Sequence, residues 1–336
     1  MHMRPRILHL LDDLAMGGVT RALKNFEHPM LQEYGRHKVM EIGSKPPQAE
    51  LPTDIAIIHF TMNWRKLPWL VQLKRCGGFQ KIILIEHTYT EGFEQNEVPN
   101  LSRFRYMLRS AYRFVDTVVA ISSAQKDWMV SARLLRPEKV VTIAQSRDCR
   151  HLFKIPAARR CSGPLKIGAF GRFHRQKGFD LLLEAIAKVS PELVQLQLAG
   201  MGEGAERLRQ LSQALPHAEI IDPFSSPDDF LTSIDCVAIP SRWEAFGLVG
   251  TEARAAGRPI IVSSVDGLKD QAGQHAFVHK PGDIDDIVRA ILEAVTAPDI
   301  NMRARVARSV CAREYDIMLR NWAALLFQSN YLKAVA

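Results

Sequence analysis

The sequence predicts an α/β protein made of two successive halves, each a parallel sheet with helices on its faces. Short apolar runs rich in β-branched residues recur along the chain, and most give way after a turn to apolar residues at helical spacing, the alternation of a doubly wound sheet. At 336 residues the chain is long for one core and comfortable for two. Between the halves, His151 to Pro164, with two prolines and Arg159-Arg160, reads as a linker. The expected division is an N-terminal domain over 1–155, a second domain over 164–314 and a C-terminal helix over 315–336.

In the first half, Arg6 to Leu11 reads as the opening strand, followed by a loop through Gly17-Gly18-Val19 and a helix ending near Pro29. Adjacent glycines let backbone approach a ligand closely. Further strands are expected at Asp54–Ile58, Lys81–Ile85, Asp116–Ile121 and Lys139–Ile143. The run at 81–85 leads into Glu86-His87, and a histidine at the carboxyl end of a parallel strand can face a ligand; His59, ending the preceding strand, is a lesser candidate. Either could equally be a polar loop residue. Leu101 to Phe114 holds four arginines, four aromatics and no acid, with Arg105, Arg109 and Arg113 at i+4 and Phe104, Met107, Leu108 and Ala111 on the apolar side. Such a helix can lie on anionic lipid, or pack its apolar side on a sheet and leave its arginines in water.

The second half opens with Leu165 to Phe170 as a strand, then a turn through Gly171 carrying Arg172 and Lys177, then a helix with Leu182, Leu183, Ile186 and Val189 on one face. Leu198-Ala-Gly200-Met-Gly202-Glu-Gly204-Ala205 fits G-x-G-x-x-A formally, but it neither opens a βαβ fold nor carries the acid expected after the next strand, which argues against a dinucleotide. Asp235 to Pro240 is a buried strand, and from about Phe246 the pattern turns helical, with Leu248, Glu252 and Ala255 in phase and Gly257 and Pro259 as the stop. A helix starting at the carboxyl end of a strand offers unpartnered N–H groups to a phosphate. Glu252 then lies within reach of two vicinal hydroxyls such as those of a ribose, while Glu244 in the turn faces what lies beyond the phosphates. The plain alternative is a solvated turn acid and a surface glutamate. Short strands follow at 219–221 and 258–262, a helix at 283–295, and a terminal amphipathic helix at Tyr315–Tyr331.

Glu244 and Glu252 resemble the E-x7-E signature of the retaining glycosyltransferases of family GT4. The resemblance is strong over most of 164–296 and weak over the first 150 residues. It implies the GT-B architecture, two Rossmann-like domains with parallel sheets facing an interdomain cleft, and a C-terminal helix over 315–336 that crosses back to the first domain. It places Glu244 by the donor sugar and Glu252 on the nucleotide ribose, with Phe246, Gly247 and Leu248 in the donor turn. The family's G-R-x4-K-G-x-D pattern, matched from Gly171 to Asp180, assigns Arg172 and Lys177 to the donor diphosphate, whose departing charge they would stabilise. Gly17 and Gly18 match a loop near the donor phosphates, Gly202 a turn bordering the nucleotide, and His87 a histidine beside the transferred sugar or the acceptor. Where the family shows an Asn-Gly-Val-Asp turn this chain has Ala144-Gln145-Ser146-Arg147-Asp148, a departure on the acceptor side.

The implied activity is metal-independent, retaining transfer of a hexosyl group from a nucleoside-diphosphate sugar to a hydroxyl of a glycan or lipid-linked acceptor, in bacterial polysaccharide or glycoconjugate synthesis. No cofactor or metal is expected. Asp283-Ile-Asp285-Asp286 contains a D-x-D triplet, yet it sits where acids cap a helix. Five scattered cysteines without C-x-x-C spacing suggest neither a disulfide framework nor a zinc site. The absence of a membrane-length apolar run or a leader pattern predicts a cytoplasmic protein, with the inner face of the cell membrane as a candidate peripheral location through 101–114. Two other readings share these features. A sugar-nucleotide epimerase would use the same donor site without an acceptor. A non-catalytic basic module would use the net charge of +8, although the basic residues are dispersed and no nucleic-acid motif accompanies them.

Overall fold

A computed structural model of the chain describes residues 4–12, 22–158, 163–221 and 226–331. The chain forms two compact units, one containing the residues up to Arg147 and those from Tyr315, the other Asp148–Glu314.

The first unit is built on a six-stranded, wholly parallel sheet of β1 (Arg6–Leu11), β2 (Arg36–Glu41), β3 (Ile55–Ile58), β4 (Lys81–Glu86), β5 (Thr117–Ala120) and β6 (Val140–Thr142), in the order β2-β1-β3-β4-β5-β6. All four residues of β3 and of β5 are buried, as a sheet covered on both faces requires. One face packs Leu8, Leu10, Ala56, Ile58, Leu84 and Val118 against Met107, Leu108, Ala111, Tyr112 and Trp128 of two helices, Leu101–Arg113 and Ser123–Ser131. The late part of the terminal helix also packs in this unit: Trp322 meets Phe26 edge-on with ring centroids 4.9 Å apart. Strand β2 has no counterpart in the sequence reading. It is a mostly exposed edge, Arg-His-Lys-Val-Met-Glu, and lacks the apolar run that marks the buried strands.

The second sheet comprises β7 (Leu165–Arg172), β8 (Val194–Met201), β9 (Ala218–Ile221), β10 (Cys236–Ile239), β11 (Ile260–Ser263) and β12 (Phe277–His279), again all parallel, in the order β12-β11-β10-β7-β8-β9. The chain winds outward from β7 to β9 and then restarts at β10 on the other side of β7. The carboxyl ends of β7 and β10 therefore flank the topological switch point, where open α/β sheets bind ligands. In the first unit the corresponding point lies between β1 and β3.

Two local expectations are corrected. The terminal helix is one continuous element, Ile300–Tyr331, of which 315–331 is only the later part. Two arginines of its first turns are anchored: Arg303 pairs with Asp299, and Arg308 donates to the carbonyls of Ala255 and Ile155. The stretch from 151 to 158, read as linker, is held to the second unit by that Arg308 bond, by Arg258 on Pro156 O and by Ala158 N on Gly257 O.

Candidate active site

The turn after β7 and the turn after β10 are locked together. Gln176 donates from its side chain to Trp243 O at 3.1 Å and accepts at its own carbonyl from Arg242 N at 2.8 Å. Arg242 forms a two-pronged pair with Asp180, 2.7 and 2.8 Å. Burial would raise the Asp180 carboxyl, but the hydrogen bonds and charge of Arg242 outweigh it and hold the group below the usual carboxylate range. Gly178 makes the close approach possible: its φ is +66°, and a Cβ there would lie 2.1 Å from Pro240 O.

Within this frame Lys177 forms an ion pair with Glu244, both side chains mostly shielded from water, and Ser241 Oγ donates to the same carboxylate oxygen at 3.3 Å. The backbone of Glu244 is clamped in turn: its N–H donates to Asp266 Oδ2 at 3.1 Å, and its carbonyl accepts from Gly267 N at 3.1 Å. Asp266 adopts φ +40°, a conformation that non-glycine residues rarely hold without a reason in the surrounding structure. Arg172 ends β7, exposed, with Gln176 Oε1 at 3.4 Å.

Phe246 and Gly247 lead into the helix Leu248–Ala255. Gln271 bonds the carbonyls of both, at 2.6 and 3.0 Å, and itself accepts from the buried Arg254, which forms a two-pronged pair with Glu314 at 2.6 and 2.8 Å. Glu252 is buried four residues after Leu248, hence on the same helix face.

Three helices of this unit begin at the carboxyl ends of β7, β10 and β8. They are Phe179–Ile186, Leu248–Ala255 and Ala205–Gln213, and each follows a glycine with no side-chain cap. Thr90, Asn100, Ser122 and Asp283 cap their helices, whereas Leu67–Cys76, Asp228–Ser233 and the glycine-led Leu268–Gln271 also lack a side-chain cap. A helix start without a side-chain cap suits an anion, although some of these amides already have acceptors: the Asp180 carboxylate takes those of Asp180 and Leu181, Ala205 N donates to Gly202 O and Gly250 N to Gly247 O. Gly202 serves the third turn, where Gly204 N donates to Phe173 O at 2.9 Å and a Cβ on Gly202 would lie 2.5 Å from that oxygen. Beside these turns opens a pocket of about 370 Å³ lined by His174, Asp180, Glu203, Arg207 and Arg242 among others; Lys177 and Glu244 do not line it.

Of the D-x-D triplet, Asp283 caps the helix Ile284–Thr296 and Asp285 pairs with Lys188, while the adjoining Asp286 pairs with Arg289. Among the described residues no group of three or more histidines, cysteines or acids is arranged to hold a metal ion.

In the first unit His87 follows β4 directly. Its turn is organised by the buried Glu86, whose carboxylate accepts from Thr88 N, Tyr89 N and the Tyr112 hydroxyl, each at 3.0 Å. Burial raises the Glu86 carboxyl while these three donors oppose the rise. Burial lowers His87 to about 4, so its ring is neutral near pH 7. Gly17 and Gly18 lie outside the described residues.

The helix Leu101–Arg113 spends two of its arginines on the protein. Arg105 pairs with Glu94, and Arg109 donates to the carbonyls of Ala132 and Arg133. Exposed Leu101 and Tyr106 remain on its outer side, with Trp64 stacked on Tyr106 at 6.0 Å and Arg103 over the Trp64 ring.

The profile of the family "Glycosyl transferases group 1" matches residues 164–297. Residues 164–297 are a group 1 glycosyltransferase domain. The D-inositol 3-phosphate glycosyltransferase of Stackebrandtia nassauensis is 30% identical over 216 residues, covering 57% of this chain and 48% of its own length. Granule-bound starch synthase 1 of Pisum sativum is 38% identical over 126 residues, 35% of this chain and 21% of its own. The chain thus spans about half or less of the length of these curated relatives. Among solved structures, HepE of Anabaena in complex with UDP-glucose superposes with a TM-score of 0.74 at 19% identity, over 97% of this chain and all of that one. The lipopolysaccharide outer core galactosyltransferase WaaB in its apo form also gives 0.74, at 15% identity over 96% and 99% of the two chains. The fold is that of the GT-B glycosyltransferases, and in the group 1 glycosyltransferase domain the switch point holds Arg172, Lys177 and Glu244. Asp266, Gln271 and Arg254, which support Glu244 and the 246–247 turn, carry no motif in the sequence; only the unusual backbone of Asp266 and the burial of Arg254 distinguish them.

Proposed function

We propose that the protein is a retaining, metal-independent hexosyltransferase that moves a sugar from a nucleoside diphosphate to a hydroxyl of a glycan or lipid-linked acceptor in polysaccharide or glycoconjugate synthesis. The observation that carries this reading is the set of three glycine-led helix starts at the carboxyl ends of β7, β8 and β10, with Arg172 and the Lys177–Glu244 pair at the switch point. Amide dipoles and two cations suit a diphosphate, and they can supply the positive charge that a divalent ion supplies elsewhere. Glu252 is assigned to the ribose and Glu244 to the donor sugar; His87 is assigned to the transferred sugar or the acceptor. Retention rests on the E-x7-E resemblance.

In the reaction, the bond from the anomeric carbon to the diphosphate oxygen breaks as oxocarbenium character develops. The acceptor oxygen then bonds to the same face, and its proton passes to the departing diphosphate. Arg172, Lys177 and the helix amides stabilise the charge that grows on the leaving group.

The deciding experiment is a thermal-shift panel of UDP-, GDP-, ADP- and TDP-sugars, in which a bound donor raises the melting temperature by mass action, followed by product analysis with and without acceptor. Stabilisation by one sugar nucleotide and transfer to a hydroxyl are expected. Rearranged sugar from donor alone would show an epimerase, and salt-sensitive oligonucleotide binding with no donor effect would show a basic module.

The exposed Trp64, Leu101, Tyr106 and Arg103 are the proposed contact with an anionic membrane surface. Among the described residues no helix is long and apolar enough to cross a membrane. Sedimentation with anionic vesicles that is undiminished in Trp64→Ser with Tyr106→Ser would refute this contact.

A further inference from the structure

Four histidines, one from each of four adjacent strands or strand ends, stand in a row across the first sheet: His37 in β2, His9 in β1, His59 after β3 and His87 after β4. Neighbouring ring centroids are 5.2, 5.1 and 5.5 Å apart, close to the spacing of the strands that carry them. The rings are joined end to end. His37 Nδ1 meets His9 Nε2 at 2.9 Å, His9 Nδ1 meets His59 Nε2 at 2.9 Å, and His59 Nδ1 meets His87 Nε2 at 3.3 Å. At the far end His37 Nε2 lies 3.1 Å from Leu31 O.

That carbonyl sets a direction. It can only accept, so His37 carries its proton on Nε2, and a neutral His37 must accept at Nδ1 from His9 Nε2–H. The same step repeats through His9 and His59 and ends with His87 donating from Nε2. The row requires neutral rings, and burial lowers all four histidines, His9 and His59 furthest.

We propose that His37, His9 and His59 act as positioning residues that lock His87 in the Nε2–H tautomer, so that its Nδ1 is presented as a hydrogen-bond acceptor for a sugar or acceptor hydroxyl. Among the described residues Nδ1 of His87 has no partner. The tautomer lock is independent of chemistry, whereas its use on a hydroxyl rests on the role proposed above for His87.

The test is ring-nitrogen NMR of the full chain labelled at histidine, alongside transfer kinetics. His87 is expected to be neutral near pH 7 with its proton on Nε2. His59→Gln, whose amide can accept from His87 and donate to His9, should keep that tautomer and most of kcat. His59→Leu and His37→Phe should each give a mixture of tautomers at His87 and lower kcat several-fold with little change in donor KM. A proton on Nδ1 in the parent protein, or a tautomer unmoved in both disruptive variants, overturns the lock. If the NMR pattern holds while His87→Ala transfers sugar at the parent rate, the lock stands and the role assigned to His87 falls.

Discussion

Lys177 and Glu244 are 67 positions apart in sequence, yet they form an ion pair because the strands that precede them, β7 and β10, are neighbours at the switch point of the second sheet. The pair is mostly shielded, so neither charge is replaceable by water. Lys177→Ala is expected to weaken nucleoside-diphosphate binding by roughly ten- to a hundredfold, the equivalent of a charge-assisted hydrogen bond of about 1.5–3 kcal/mol. Glu244→Gln keeps the backbone clamp to Asp266 and should lower kcat while leaving that affinity in place. Calorimetry and initial rates separate the two outcomes; parent-like binding in Lys177→Ala would remove the lysine from the donor site.

Glu252→Ala should reduce kcat/KM at least tenfold, since about 1.4 kcal/mol of lost transition-state binding suffices for that factor. Arg172→Ala should reduce nucleoside-diphosphate affinity with an unchanged circular dichroism spectrum, because its exposed side chain contributes little to folding. A Glu252→Ala enzyme with parent kcat/KM contradicts the ribose assignment.

The Arg254–Glu314 pair has one almost wholly buried partner, with Arg254 at 1% side-chain exposure and Glu314 at 27%. Glu314→Ala leaves the buried guanidinium with only the neutral acceptors Gln271 and Gly250 O, and breaking a buried pair in this way costs about 3–5 kcal/mol. A melting temperature lowered by roughly 6–20 °C is expected from the usual entropy of a domain this size. A change of under a degree would show the pair to be dispensable.

Two glycines at similar backbone angles should respond differently to alanine. Gly178 (φ +66°) has Pro240 O 2.1 Å from a would-be Cβ, whereas Gly282 (φ +77°) has nothing within 4 Å. Gly282→Ala bears only conformational strain, about 1 kcal/mol, while Gly178→Ala must also separate the two site turns and should exceed about 3 kcal/mol. Equal urea midpoints for the two variants would contradict the close approach.

Acid should destabilise the first unit in a defined window. His9, His37, His59 and His87 all titrate below the ordinary 6.5, His87 at about 4, so between those values the unfolded chain binds more protons than the folded one. The stability that these histidines contribute is full above pH 6.5 and falls as the pH drops towards 4. Glu86, raised by burial, acts in the opposite sense, but it is one group against four. Melting temperatures across this window should slope less in His59→Gln, and a flat profile in the parent protein would show that the histidines are not buried neutral.

Much of this was legible in the sequence because buried parallel strands announce themselves: Ile55–Ile58, Val118–Ala120 and Cys236–Ile239 are short apolar runs that end within two residues at His59, Ser122 and Ser241. β2 was not legible, since an exposed edge strand has no apolar requirement. Lys177, Glu244 and Glu252 stood out through spacing, because each sits at a fixed offset from a strand end. The residues that hold them, Asp266, Gln271 and Arg254, act through contacts across the fold and leave no local pattern. The histidine row escaped for the same reason. Its members are 28 to 50 positions from the neighbours they touch, and only strand order makes them adjacent.

The continuous helix Ile300–Tyr331 has a practical consequence for dissecting the protein. Its early residues count among the second unit and its later ones among the first, so the amino-terminal unit is discontinuous along the chain. A fragment ending at Arg147 would lack Met318 and Trp322, buried neighbours of Asn25 and Phe26, and would expose oily surface where they pack. Cleavage near residue 314 should therefore leave two pieces that copurify until denatured, and only the central segment is a candidate for independent expression.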